Sequence, residues 1–221
     1  KSNEITAIPA LLDTLELSGC IVTTDAMGCQ RAIAEKVIEN EADNVLVIKE
    51  NQVQLFRTIQ GLFNDAQELH WVDCDHHKTV NKGHGRLEIR ECWATSDPDY
   101  LHYIGLFADW KGLQSIAMIR AERHIREQKS VERRYFISSL ESDAQQLLRA
   151  ARTHWHIENK LHWVLDLAFR EDESRVRKGN GPQNFAVLRH LALNLLRQES
   201  TSKRSIRAKR LKAGWDHDYL L

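Results

Sequence analysis

Cys20-Ile21-Val22-Thr23-Thr24-Asp25 and Asn44-Val45-Leu46-Val47-Ile48-Lys49 are two short apolar runs with one helically spaced segment between them. The first is β-branched, preceded by Gly19 and ended by Asp25, so it reads as a buried strand. Ala26 to Asn40 carries Ile33 and Val37 at helical spacing, and the second run is again a continuous strand. Strand, helix, strand is the pattern of a parallel α/β sheet. Leu55 to Phe63 adds another helix.

Outward from this frame the texture changes. From His70 to Leu140 the pattern turns mostly to strands separated by turn residues, with Lys82-Gly83-His84-Gly85 between Lys78-Thr79-Val80 and Leu87-Glu88-Ile89. Leu113 to Ile119 and Arg134-Tyr135-Phe136-Ile137-Ser138 continue the series, which reads as a β-rich insertion. Ser142-Asp143 can cap a long helix reaching about Phe169, and Pro182 opens another through Arg197.

Bulk properties narrow the class. The 221 residues are 42% hydrophobic and 28% charged, which argues against disorder. No apolar run approaches the ~18 residues of a membrane span, and Lys1-Ser2-Asn3-Glu4 is unlike a signal peptide, so a cytoplasmic protein without membrane contact is expected. Cys20, Cys29, Cys74 and Cys92 are widely spaced, as reduced thiols would be. The net charge of zero conceals a local excess: Arg175 to Lys212 holds eleven Lys or Arg and one acid, Glu199. Such a segment suits phosphate binding, and equally a solvated helix face. Walker, Gly-x-Gly-x-x-Gly, Gly-x-Ser-x-Gly and Cys-x-x-Cys sequences are absent, which removes support for nucleotide-dependent and serine-nucleophile enzymes.

Two carboxylates stand out. Asp25 follows the first strand at its C-terminal end, where open α/β sheets bind ligands, although an N-cap of the next helix would use the same residue. Glu158 falls seven residues from both Ala151 and Leu165, on a stripe with Leu147 or Leu148, Trp155 and Leu161. A carboxylate on an apolar face needs a cation: a hard metal ion, or Arg149, Arg152 or Lys160 in a buried salt bridge. His154, Glu158 and His162 resemble a zinc face without the His-Glu-x-x-His order. Asp73-Cys74-Asp75-His76-His77 with His84 and Cys92 lacks structural-zinc spacing and reads as polar hairpin surface.

Thr24-Asp25-Ala26-Met27-Gly28-Cys29-Gln30, Trp155-His156-Ile157-Glu158-Asn159 and Leu161-His162-Trp163-Val164-Leu165-Asp166 resemble the H-repeat-associated proteins, insertion-sequence transposases of the DDE class. The likeness extends to Lys1-Ser2-Asn3-Glu4-Ile5, Arg175-Val176-Arg177-Lys178-Gly179-Asn180 and Leu188 through Trp215. It implies an α/β fold: an RNase H-like catalytic core with a β-rich insertion and a helical C-terminal region. The corresponding division is 1–66 for the first part of the core, 67–140 for the insertion, 141–199 for core helices with the third acid, and 200–221 for a basic C-terminal segment. Asp25 matches the second catalytic acid and Glu158 the third, both as Mg²⁺ ligands for DNA cleavage and strand transfer. The DNA-binding candidates are Arg175, Arg177, Lys178, Lys203, Arg204, Arg207, Lys209 and Arg210.

The related Tyr-x2-Arg-x3-Glu-x6-Lys signature is not kept, because its offsets hold Ala151, His154 and Leu165. The resemblance places the first catalytic Asp before Lys1. The expectation is therefore a core incomplete at its N-terminus and a truncated, inactive copy, with DNA, a full-length transposase or a second copy of itself as partner. Two other readings are a non-catalytic DNA-binding or regulatory fragment and an unrelated carboxylate-metal α/β enzyme.

Overall fold

Alternation in the strands sets the layers. A computed structural model describes residues 4–83, 85–105 and 110–220, with the side chains of Glu4, Glu158, Asn159 and Leu220 outside that description. The chain forms two compact units, Lys1–His154 and Trp155–Leu221.

In the first unit, helix α1 (Glu4–Leu12) is followed by β1 (Ile21–Thr24), α2 (Arg31–Glu39) and β2 (Asp43–Ile48). A 3-10 turn (Glu50–Gln52) leads into α3 (Val53–Glu68). Next come β3 (Asp75–Gly83), β4 (Arg86–Thr95), α4 (Pro98–Gly105), β5 (Ser115–Ile125) and β6 (Gln128–Ser138). Helix α5 (Ala144–Ile157) runs into a π turn (Glu158–His162) and then α6 (Trp163–Phe169). The π turn and α6 already belong to the second unit, which continues with α7 (Gly181–Gln198), α8 (Ile206–Ala213) and α9 (His217–Leu220).

One six-stranded sheet has the order β1-β2-β6-β5-β4-β3. β1 and β2 are parallel, as the strand-helix-strand reading requires. β6 lies antiparallel to β2, with Val45 opposite Ser138 and Ile48 opposite Tyr135. The stretch 67–140 thus continues the sheet that β1 and β2 begin. The fold is mixed α/β, in keeping with an RNase H-like transposase core.

Period two sorts the side chains onto two faces. Leu46, Ile48, Trp93, Ile116, Met118, Tyr135 and Ile137 pack with Leu55, Ile59 and Phe63 of α3 and Ile104 of α4. Val45, Cys92, Ala94, Ala117, Ile119 and Phe136 pack with Ala144, Leu147, Leu148, Ala150 and Ala151 of α5. A third cluster joins Leu12 of α1 to Ile33 and Val37 of α2. Each fully buried Leu or Ile contributes roughly 1.5–3 kcal/mol, so these layers dominate the stability of the unit.

The helical boundaries differ from the sequence reading at two places. α2 begins at Arg31 and not Ala26, because the chain first makes a turn over residues 25–30. The long helix is real but is widened by the π turn at Glu158–His162. Its apolar stripe is buried through Ala151, whereas Trp155 is 45% exposed. An extra residue in one turn rotates everything beyond it by about 100°. The seven-residue spacing of Ala151, Glu158 and Leu165 therefore does not describe one continuous face.

Among the described residues, no helix is long and apolar enough to cross a membrane.

Candidate active site and nucleic-acid surface

Asp25 follows the last residue of β1 and is exposed. Its Oδ1 accepts the backbone amides of Met27 at 3.0 Å and Gly28 at 3.1 Å. The residue therefore holds the turn after β1 and does not cap α2, whose N-cap position is Gln30. Neighbouring groups fasten the same loop. Asn51 Nδ2 donates to the Ala26 carbonyl at 2.7 Å, and Gln52 Nε2 donates to the Cys29 carbonyl at 2.6 Å. Gly28 lets the turn lie on the strand end, since a Cβ there would come within 2.6 Å of Thr24 Cβ.

With Oδ1 committed to two amides, Oδ2 has no hydrogen-bond partner among the described residues. Among the described residues no three His, Cys, Asp or Glu side chains come together as a metal site, so Asp25 alone offers one oriented carboxylate oxygen of the type a hard cation accepts.

Glu158 opens the π turn, a helical irregularity often found at functional sites. Its side chain lies outside the described residues. One turn earlier, His154 Nδ1 is 3.1 Å from Thr23 Oγ1, across 131 positions of sequence. This hydrogen bond joins β1, two residues before Asp25, to α5, four residues before Glu158. The sequence reading named His154 as an unsupported zinc ligand and as a departure from the related signature, and missed this role. Its one signal was the i−4 offset from Glu158, where the related signature holds Arg.

The zinc-like stretch has other work. Asp75 Oδ2 accepts the Ala144 amide at 2.8 Å, at the start of α5. His76 stacks on Trp93 with ring centroids 4.8 Å apart, and Trp71 stacks on the same indole at 4.5 Å. Cys92 is fully buried on the opposite sheet face, and burial pushes its thiol up to about 12. Such a thiol is a poor metal ligand. His84 lies outside the described residues.

The basic candidates divide by exposure. Arg175, Arg177, Lys178, Lys203, Arg204 and Arg207 are exposed. Arg210 is half-buried, with its guanidinium 5.6 Å from the Phe169 ring centre. Lys209 corrects the sequence reading, because it is 7% exposed and its ammonium donates to the Leu196 and Glu199 carbonyls. It also lies 3.1 Å from Glu199 Oε2. Glu199 in turn accepts from Thr201, the Ser202 amide and the Tyr219 hydroxyl. Thr201 above all, then Tyr219, holds its carboxyl well below the ordinary range. Lys209 is thus the inner pin of the α7–α8 junction and has no free donor face for phosphate.

The description "Transposase DDE domain" matches residues 1–195. The chain is 40% identical over its whole length to the "H repeat-associated putative transposase YhhI" of Escherichia coli strain K12, covering 58% of that protein. It is also 40% identical to the "Putative protein YbfL" of the same strain, again with all of this chain and 58% of the relative covered. To the "Putative transposase YncI" of E. coli O157:H7 it is 38% identical, with all of this chain and 56% of the relative covered. The chain therefore spans somewhat over half the length of these curated relatives. A family match across most of the chain, a mixed sheet with a strand-end aspartate, and likeness over all of this chain to somewhat more than half of transposase-named proteins lead to one assignment: this chain belongs to the DDE-domain transposase family.

Proposed function

We propose that this chain forms part of a DDE transposase that cleaves and joins DNA phosphodiester bonds, with Asp25 and Glu158 as two of its metal-binding carboxylates. Residues 1–66 and 141–199 would be the catalytic core, 67–140 its insertion, and 200–221 a basic tail. The observation that carries the reading is the strand-end Asp25, held through Oδ1 by the Met27 and Gly28 amides, in a chain whose residues 1–195 match the transposase DDE domain.

Bound Mg²⁺ would supply activation of water or a DNA 3′-hydroxyl and neutralise charge at the leaving oxygen. The chain's own residues do the positioning. Met27 and Gly28 amides fix Asp25 so that one oxygen is presented without conformational search, and Asn51 and Gln52 hold the loop that carries those amides. Such preorganisation matters because misplacing reacting groups by ~1 Å can lower a rate on the order of a hundredfold. The exposed residues Arg175, Arg177, Lys178, Lys203, Arg204 and Arg207 would contact DNA phosphates.

Mn²⁺ titration followed by NMR tests the reading without requiring turnover. Paramagnetic broadening should centre on the Met27, Gly28 and His154 resonances and disappear in the Asp25→Asn, Glu158→Gln double variant. Broadening centred elsewhere, or unchanged in that variant, would refute Asp25 and Glu158 as metal ligands.

A further inference from the structure

Four arginines converge on the α5 face of the long strands, and none of them belongs to the C-terminal basic segment. Register places Asn81, Glu88 and Arg123 opposite one another on β3, β4 and β5. Arg86 and Arg90 lie two residues either side of Glu88 and so share its face. Glu88 is buried, and three guanidiniums reach its carboxylate: Arg90 at 2.5 Å, Arg86 at 3.2 Å and Arg123 at 3.3 Å. Arg152 of α5 donates to neutral Asn81 at 3.1 Å, and Arg90 donates to the same oxygen at 3.4 Å.

One carboxylate cannot neutralise four guanidiniums. Each guanidinium carries five N–H donors, and most of these are unspent on Glu88 and Asn81. The Arg86 and Arg123 side chains are 46% and 52% exposed, so their remaining donors meet solvent. A structural ion pair would need only one or two of these arginines, and the surplus repels itself unless anions approach.

We propose that this arginine surface, formed by Arg86, Arg90, Arg123 and Arg152, is a track for the phosphate backbone of duplex DNA. It rests on the transposase reading and extends it to a surface that the C-terminal basic segment does not include. From Arg86 to Arg90 the strand spans about 14 Å, a length over which one DNA strand presents about four phosphates. Within the first unit, α5 spans the sheet from this surface to the opposite edge: Arg152 bonds Asn81 on β3, and His154, on another side of the helix, bonds Thr23 on β1.

The test uses the full 221-residue chain and a labelled random-sequence duplex, with affinity measured across salt concentrations. Replacing both exposed arginines, Arg86→Ala with Arg123→Ala, should make the logarithmic salt slope less negative by about 2, while Arg86→Lys with Arg123→Lys keeps it. In the unsubstituted chain, DNA should also increase amide-exchange protection over residues 86–90 and 121–125, a readout independent of how well a variant folds. A chain that binds DNA with its slope reduced by Arg204→Ala and Arg207→Ala, but unchanged by the Arg86 and Arg123 pair and without that protection, overturns the track and leaves the transposase reading standing. No salt-dependent binding by the unsubstituted chain overturns both.

Discussion

Gly28 is small because of where it sits, with Thr24 Cβ occupying the space that a side chain would need. Gly28→Ala should destabilise the first unit by about 1–3 kcal/mol, the usual cost of overpacking, seen as a lower denaturation midpoint. Thr24→Ala in the same chain should give no rescue, since the atom met is the Cβ that alanine retains. Rescue would show that the turn can shift and that the loop beside Asp25 is not held as described. Asp25 itself was legible in the sequence as a strand-end acid, because a β-branched run ending in Asp is a local signal. Its partners were not, since Asn51 and Gln52 reach the loop across 25 and 23 positions and carry no periodic mark.

At the level of elements, α8 shows why counting charges overstates a binding surface. Lys209 is covered by the carbonyls and carboxylate it bonds, while Arg207 on the same helix is exposed. Lys209→Met should lower the melting temperature by at least about 5 °C, because three acceptors lose their donor, yet leave the salt slope of DNA binding unchanged. Arg207→Ala should do the reverse. A changed slope with unchanged melting in Lys209→Met would return that lysine to the DNA surface. Start signals at Ser142-Asp143 and Pro182 revealed α5 and α7, and Leu55 to Phe63 revealed α3, but nothing revealed the π turn, since an added residue leaves no compositional trace. α4 did carry a readable start that the sequence analysis passed over: Asp97 before Pro98, with Asp97 Oδ1 accepting the Asp99 and Tyr100 amides at 2.8 and 3.2 Å.

Across the whole molecule the sheet changes character along its length. Near Cys92, Ala117 and Phe136 it has a helix-packed core on each face, whereas Val80, Ile125 and Val131 are exposed and many of their neighbours at that end are charged. On the α3 side of this outer part, the Lys129 hydrogen bond, then that of His124, outweighs burial and holds the Glu122 carboxyl at about 2. Because this value lies below the ~4.3 of a free glutamate, its stabilising effect is complete above that pH and is lost as pH falls towards 2. Amide-exchange protection, corrected for intrinsic rate, should be lower over 86–88 and 121–131 than over 115–119 and 135–138, and the gap should widen between pH 4.3 and 2. Equal protection at both ends would mean that the outer strands are held by something other than ion pairs and register. The β1–β2 pair was readable as parallel, but the joining of β6 to β2 was not, because nothing local specifies a pairing between segments about ninety residues apart.

Among the described residues no apolar helix layer covers that outer part of the sheet, which has a mechanical meaning. A layer clamped between helices can change its twist only by disturbing the packing on both sides, so it is stiff. Strands without such layers can move through much of the ordinary twist range, about −10 to −35° between neighbours, without opening a cavity. The protein therefore combines a rigid mount, carrying the Asp25 turn, with a compliant blade that can conform to a curved surface while the mount stays still.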